Sequence, residues 1–193
     1  MKNFLIDNYS KCWKFLIECR WYNVFVTGIF SLLFLIGFTF PVFFRAEIIV
    51  FVEELIELVE GKGLIETFFF IFFNNLKATF FAIILGVSFG ILPLFVAITN
   101  GYLIGFVSRE VAMIEGISAL WRLFPHGIFE LPAVIFSIGI GIKIGVDLLI
   151  VKKNKKERLK INYIEGLRFF LFVVIPLLLL AGIIEATFIW LST

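Results

Sequence analysis

Apolar runs long enough to cross a bilayer recur along the chain. Between Val24 and Phe44, 21 consecutive residues carry no charge. A helix of about 20 residues rises far enough to cross the roughly 30 Å hydrocarbon core of a bilayer. The pattern therefore predicts a first span over residues 24–44. The same criterion predicts further spans over 128–150 and 169–191, although both contain ionisable residues.

The middle of the chain is ambiguous by hydropathy alone. Residues 67–112 are mostly apolar but include Asn74, Asn75, Lys77 and Asn100. This length allows one crossing, two crossings or a re-entrant pair, so another signal has to decide.

Charge placement supplies that signal. Residues 45–66 hold two basic and six acidic side chains, whereas residues 151–168 hold seven basic and two acidic ones. Basic loops favour the cytoplasm, so 151–168 should be a cytoplasmic loop and 45–66 should be external. With a cytoplasmic N-terminus, only an odd number of crossings between these segments fits. We therefore predict two spans in the middle, 67–89 and 91–112, joined by a tight turn near 86–93; a hairpin that re-enters without emerging stays open as the alternative.

The predicted fold is an all-α, polytopic transmembrane bundle of about five spans. It forms one domain over residues 1–193, with the N-terminus cytoplasmic and the C-terminus outside. Apolar residues recur at helical spacing over residues 47–60, which predicts an external amphipathic helix. The expected location is the cell membrane, as a multi-pass protein.

Composition agrees with this picture. The chain is 61% hydrophobic with 27 Phe and a mean hydropathy of +1.07, which leaves too little polar surface for a water-soluble domain. A net charge of +2 gives no footprint for nucleic acid. Cys12 and Cys19 lack the spacing of a zinc or redox motif, so we expect no metal and no cofactor. The expected partner is the lipid bilayer.

Small residues recur every three or four positions within the predicted spans. Such residues let helix backbones approach each other in lipid. We expect helix packing, and a possible homo-oligomer, through these faces. The residues concerned are Gly86, Gly101, Gly105, Ser137, Gly141 and Gly145.

Polar residues lie near the same helical stripes, in the predicted external half of the bundle. Ionisable groups inside a membrane are costly and should be paired, neutral or close to an interface. We predict that they form one buried polar cluster, with Lys77 at its edge. The cluster consists of Asn74, Asn75, Lys77, Asn100, His126 and Glu130.

The chemistry of this cluster stays open. His126 and Glu130, four residues apart, could act as an acid–base pair or as two metal ligands. No HExxH, nucleophile elbow or intramembrane aspartate pair accompanies them. Helix packing, a permeation or binding pocket, and hydrolysis are the three interpretations, and we expect no catalytic residue.

Three further charges lie within predicted spans. Lys143 and Asp147, four residues apart, suit an internal ion pair or snorkelling towards the cytoplasm. Glu185 stands alone in the fifth span and needs a donor from another helix or from the interface.

Several of these residues together resemble one known family. Asn74-Asn75, Asn100-Gly101 with Gly105, and the run from Pro125 through His126 and Glu130 to Leu131 are similar in order and spacing to the stage II sporulation protein M family of multipass membrane proteins. The resemblance covers roughly 24–191, and the His-Gly-x-x-Glu element is its most specific part.

The resemblance implies an all-helical membrane protein that recruits partners, without an established catalytic residue. Our first hypothesis is a non-enzymatic scaffold that organises membrane or cell-envelope protein partners. The alternative is a transporter or channel that uses the Asn/His/Glu cluster as its site, and an intramembrane hydrolase is the third.

Overall fold

The computed structural model describes residues 2–123 and 126–192, and over these residues the chain forms eight α-helices and no strand. The helices are α1 (Lys2–Glu18), α2 (Arg20–Thr39), α3 (Arg45–Glu57), α4 (Leu64–Ile84), α5 (Ile91–Glu115), α6 (Leu131–Ile150), α7 (Lys155–Phe169) and α8 (Ile175–Ser192). Short 3₁₀ segments occupy Leu85–Val87 and Ile117–Leu123, and π-helical segments occupy His126–Glu130 and Phe170–Val174.

Five stretches of the described helix are long and apolar enough to cross a bilayer: Arg20–Thr39, Leu64–Val87, Ile91–Glu115, Gly127–Ile150 and Lys155–Leu191. The predicted all-helical membrane bundle is therefore confirmed. The middle of the chain contains two full-length helices. The predicted orientation of the termini stays a prediction.

The bundle has two distinct ends. Helix α3 lies at one, where Arg45 approaches Glu110 near the end of α5. At the other, α1 and α7 pack against each other and the α4–α5 turn lies beside α6. We call these the α3 end and the α1–α7 end.

Helix α6 is the centre of the bundle. It contacts α2, α4, α5, α7 and α8. Glycines make this possible, because a Cβ at Gly141 would overlap the Ala82 carbonyl of α4, and one at Gly145 would overlap the backbone of the turn at Gly90. Neighbouring helices therefore reach α6 on more than one side.

The α4–α5 turn has a clear local cause. Phe89 and Gly90 both adopt positive φ, which reverses the chain. The Ser88 hydroxyl then accepts a hydrogen bond from the Leu92 N–H at 3.1 Å, which caps the start of α5. Pro93 falls in the first helical turn, where an N–H has no partner within the helix. The turn thus needs no charge to hold its shape.

Both π-helical segments end two residues before a proline of the following helix. Pro132 and Pro176 lack the N–H that would bond to residues 128 and 172. The ring of a proline also crowds that carbonyl, so the preceding helical turn widens. The first of these widened turns ends at Glu130.

The basic segment that we predicted as a loop over 151–168 is helical from Lys155 onward. Asn162, Gly166 and Phe169 are buried on one side of α7, while the lysines near its start are exposed. Because α7 packs one stripe against the protein, it continues directly into the last span. The predicted external amphipathic helix over 47–60 corresponds in position to α3.

Candidate functional site

A cavity of about 660 Å³ opens inside the bundle at the α3 end. Helices α2 to α6 and α8 all contribute to its wall. Its polar lining residues are Glu60, Asn74, Asn75, Asn100, Glu130 and Glu185.

Four of the five spanning segments place a polar residue near the α3 end. Asn74 and Asn75 lie in the first half of α4, and Asn100 lies in the middle of α5. Glu130 ends the π-helical segment before α6 and is 5% exposed. Glu185 lies in the second half of α8, which returns to the α3 end. The cavity therefore forms where four separate crossings bring a polar side chain to a similar depth.

Four of the six residues predicted to form the buried polar cluster line this cavity: Asn74, Asn75, Asn100 and Glu130. Of these four only Glu130 is buried, whereas Asn75 and Asn100 are half-buried and Asn74 is exposed. Lys77 is exposed and does not line it, because it lies almost one turn further along α4, away from the α3 end. The side chain of His126 lies outside those that the structure describes.

Glu60 and Glu185 line the cavity but were absent from the predicted cluster. A positional signal for Glu185 exists in the sequence: it lies six residues before the predicted end of the fifth span, and Glu130 lies two residues into the fourth. Both positions correspond to the same end of the bundle.

The remaining lining residues are apolar. Those of α3, together with Val59 just beyond it, form a roof, and the spans supply the walls. The apolar lining residues are Phe30, Phe51, Val52, Leu55, Ile56, Val59, Phe70, Ile71, Leu103, Ile104, Leu131, Val134 and Ile189. The described lining thus combines three carboxylates and three amides with a larger apolar surface, and it includes no lysine or arginine.

The polar side chains of α4 remain available to a ligand. Among the described residues, neither the Asn74 nor the Asn75 side chain hydrogen-bonds to protein, whereas Asn100 Nδ2 donates to the Val96 carbonyl at 2.9 Å. The Asn100 amide is thereby held by its own helix, one turn back. Pre-positioned polar groups on an apolar wall are typical of a binding pocket.

The corner between α2 and α3 is fastened to α5. The Tyr102 hydroxyl accepts from the Phe43 N–H and donates to the Phe43 carbonyl, both at 3.0 Å. Arg109 Nη1 donates to the Phe38 carbonyl at 2.9 Å, which satisfies a free carbonyl near the end of α2. Phe44, at φ +54°, then turns the chain into α3. This corner anchors the start of the roof.

A second polar group lies at the α1–α7 end. Lys143 Nζ is 3.1 Å from Asp147 Oδ2 and donates to Asn162 Oδ1 at 3.0 Å. Asp147 Oδ2 also accepts from Asn162 Nδ2 at 2.8 Å and from Arg158 Nε at 3.0 Å. The Phe15 ring lies 5.7 Å from the ammonium. We call Lys143, Asp147, Arg158 and Asn162 the inner network.

The sequence prediction of an internal Lys143–Asp147 ion pair agrees with this geometry, but it missed Asn162. The spacing of Asn162, Gly166 and Phe169 is helical and could have identified the buried side of α7.

Neither cysteine lines the cavity, and Cys19 lies close to Lys143 and Asp147 of the inner network. Both are buried on α1 or directly after it, and burial raises the pKa of the Cys12 thiol and raises that of Cys19 to about 12. Within the described residues no group of three His, Cys, Asp or Glu side chains has the arrangement of a metal site.

The predicted packing residues contact other helices of the same chain. Gly101 and Gly105 of α5 meet the α2 backbone at Phe30 and Phe34, and Gly86 meets Gly141. Gly145 packs on the α4–α5 turn, and Ser137 is fully buried. These faces are occupied within one chain, so a homo-oligomer would have to use another surface.

Comparison with known proteins adds a family and two relatives. The family model described as Stage II sporulation protein M matches residues 24–188. The chain is similar to two uncharacterized proteins of Methanocaldococcus jannaschii: MJ0706 is 33% identical over 117 residues (59% of this chain, 51% of the relative), and MJ0793 is 35% identical over 89 residues (44% and 49%). The chain thus spans about half the length of the curated relatives it matches. No solved structure matches it.

Proposed function

Because the chain belongs to the stage II sporulation protein M family, a family of membrane proteins, we propose that it acts within the bilayer. In this proposal the protein is a non-enzymatic transporter, and the cavity at the α3 end is its substrate site, which binds a small ligand.

One observation carries this proposal. The cavity of about 660 Å³ has the size of a small-molecule pocket, and it combines a large apolar wall with a few convergent polar groups. A polar cluster that served helix packing alone would fill its own space, because buried polar groups in a bundle normally satisfy one another. Here Asn74 and Asn75 face open volume.

The helices around the cavity share one feature with transporter sites, namely an interruption of regular helical backbone beside the cavity. The π-helical segment 126–130 interrupts regular hydrogen bonding next to Glu130. Irregular backbone inside a membrane is tolerated where it is buried in protein or lines a cavity, and broken helices often supply substrate sites. The roof α3 is anchored at its start by the corner fastened to α5, and the connection after it contains Gly61 and Gly63.

Access to water and ligand tests the proposal. Leu131 lines the cavity, whereas Ala133, two residues further along α6, is fully buried. In the protein reconstituted in lipid nanodiscs, Leu131→Cys should react with a water-soluble methanethiosulfonate, and Ala133→Cys should not. The unmodified chain, with its two buried cysteines, is the blank. Equal protection of both engineered cysteines would overturn the proposal, because it would mean a closed and dry cluster.

A scaffold that organises membrane or cell-envelope partners is the second candidate function. The backbone-to-backbone contacts of Gly101, Gly105, Gly141 and Gly145 favour it, because close glycine packing makes a rigid platform. Val134→Phe separates the two functions, since it fills the cavity without altering an exposed face. If the protein is a scaffold, the Val134→Phe variant should still cross-link to its partners in native membranes. If it is a transporter, the same variant should lose binding of its ligand.

A further inference from the structure

We infer that the cavity ligand is an uncharged amphiphile, with an apolar chain and a head that both donates and accepts hydrogen bonds, such as a hydroxyl or a carboxamide. This inference rests on the proposed function, because it names the chemical class that the cavity takes.

The head group follows from the side-chain amides of the lining. Asn74 and Asn75 make no side-chain hydrogen bond to protein within the described residues, and each amide has two N–H donors and one carbonyl acceptor. Asn100 uses one N–H for the Val96 carbonyl, which leaves its Oδ1 able to accept. Helices α4 and α5 thus present both donors and acceptors to the cavity. A head that only accepts or only donates would leave part of this set unsatisfied.

The absence of charge follows from the other polar groups. The described lining includes no lysine or arginine, so an anionic head would lose its hydration without gaining an opposite charge. Glu130 and Glu185 already interact with other groups of the chain, and Glu60 is exposed, where solvent weakens an ion pair. A cationic head would therefore compete with existing contacts or pair only with an exposed carboxylate. An uncharged head avoids both costs, because it bonds directly to the amides.

The apolar chain follows from the volume and from the walls. A water molecule occupies about 30 Å³ in the liquid, so a small polar solute would leave most of the cavity of about 660 Å³ unfilled. The surface beyond the polar groups consists of aliphatic and aromatic side chains from α2, α5, α6 and the roof. An apolar chain can cover that surface, and each buried methylene favours binding.

The roof gives such a ligand a route from the lipid. Phe51 and Ile56 line the cavity and are still 46% and 58% exposed. The side chains that meet the surroundings of the protein are therefore also part of the cavity wall. An amphiphile dissolved in the bilayer thus has a path beneath α3 that keeps its chain out of water.

A matched series of probes tests this inference. 1-Dodecanol has the inferred head, 1-methoxydodecane has an ether that only accepts, and dodecyltrimethylammonium and dodecyl sulfate carry opposite charges. Ethanol has the hydroxyl without the chain. Each dodecyl probe is added at equal, low mole fraction to nanodiscs that contain the Leu131→Cys protein, and ethanol is added at equal total concentration. The readout is protection of the engineered cysteine from a neutral water-soluble thiol reagent, and titration of the probe gives its Kd.

Two substitutions of the same kind provide the controls. Asn75→Leu removes a half-buried amide from the cavity at similar side-chain size, and Asn3→Leu removes an exposed amide from α1, outside the cavity. We expect 1-dodecanol to protect most strongly, with a Kd about fivefold weaker after Asn75→Leu and unchanged after Asn3→Leu. If the Asn75→Leu protein does not fold, Asn74→Leu, at the exposed amide, should show a weakening in the same direction.

The outcomes separate the chemical class of the ligand from the existence of its site. Equal protection by either ionic probe, by the ether or by ethanol, or an unchanged Kd after the cavity substitution, would overturn the uncharged amphiphile while leaving a ligand-binding cavity in place. An engineered cysteine that is unreactive even without any probe would instead overturn the proposed function.

Discussion

The polar side chains at the two ends of α6 are arranged in opposite ways. At the α1–α7 end, Lys143, Asp147, Arg158 and Asn162 bond to one another at 2.8 to 3.1 Å, and Lys143 is 3% exposed. At the α3 end, Glu130 reaches a cavity of about 660 Å³ together with side chains from α4, α5 and α8. One set of polar residues fills its own space, and the other surrounds space that it does not fill.

This difference indicates that one helix carries two kinds of polar group: one that stabilises the bundle and one that lines the proposed ligand site. A charge inside a membrane is tolerated when opposite charges and hydrogen bonds compensate its loss of hydration. The inner network meets that condition from within the chain, so it needs no ligand to explain it. At the cavity, Asn74 and Asn75 face open volume, which leaves room for a ligand. Removing equivalent groups from each end of α6 tests this contrast.

The largest effect should come from Lys143→Met. Removing one partner of a buried ion pair leaves the other charge without its counterion, which costs about 3 to 5 kcal/mol. Arg158 and Asn162 still contact Asp147, so we expect a loss near 3 kcal/mol in the free energy of unfolding. Equilibrium unfolding in mixed micelles measures it, with the exposed Lys152→Met as the control. A loss below about 1 kcal/mol would mean that the inner network does not stabilise the bundle.

Asn162→Ala should have the next largest effect. The amide of Asn162 is 1% exposed, donates to Asp147 and accepts from Lys143. Leaving buried polar partners unsatisfied costs roughly 1 to 3 kcal/mol. The same unfolding measurement should therefore show a loss of about 2 kcal/mol. Asn162→Asp is an informative companion, because a carboxylate keeps the bond to Lys143 but places a second negative charge beside Asp147.

The sequence reveals the inner network only in part, for a physical reason. Lys143 and Asp147 are recognisable because residues four apart share a helix face. Asn162 lies in a strongly basic segment, and such a charge pattern is typical of a solvated loop. Only the helical spacing of Asn162, Gly166 and Phe169 indicates a buried side. Net charge reports the side of the membrane and carries no information on local helix formation.

The α3 end shows a different limit of sequence interpretation. Helical spacing and predicted span ends bring Asn74, Asn75, Asn100 and Glu130 to one depth, and the structure places these four around one cavity. The open volume itself could not be predicted, because it depends on how α3 lies across the helix ends. That position is set by bonds such as those from Tyr102 to Phe43, which are far apart in sequence.

Asn74→Ala should change stability little. Its amide faces the cavity and makes no protein hydrogen bond within the described residues. Polar interactions inside helical membrane proteins average about 0.6 kcal/mol, so we expect a loss at or below that value. The contrast with Asn162→Ala compares the same substitution at an open and at a closed site. A loss as large as that of Asn162→Ala would contradict the distinction between the two ends.

The smallest expected signal is the reaction of Cys19 with thiol reagents. Cys19 is 1% exposed beside the inner network, and burial raises the pKa of its thiol from 9.0 to about 12. Because the thiolate is the reactive form, its fraction at pH 7.5 falls about a thousandfold below that of an ordinary cysteine. Maleimide should therefore leave Cys19 unmodified in the folded protein at pH 7.5, while Ser10→Cys, on the exposed side of α1, reacts readily. Rapid modification of Cys19 would show that the α1–α7 end opens on the timescale of labelling. In that case both ends of α6 would be accessible, and the contrast drawn from their polar groups would fail.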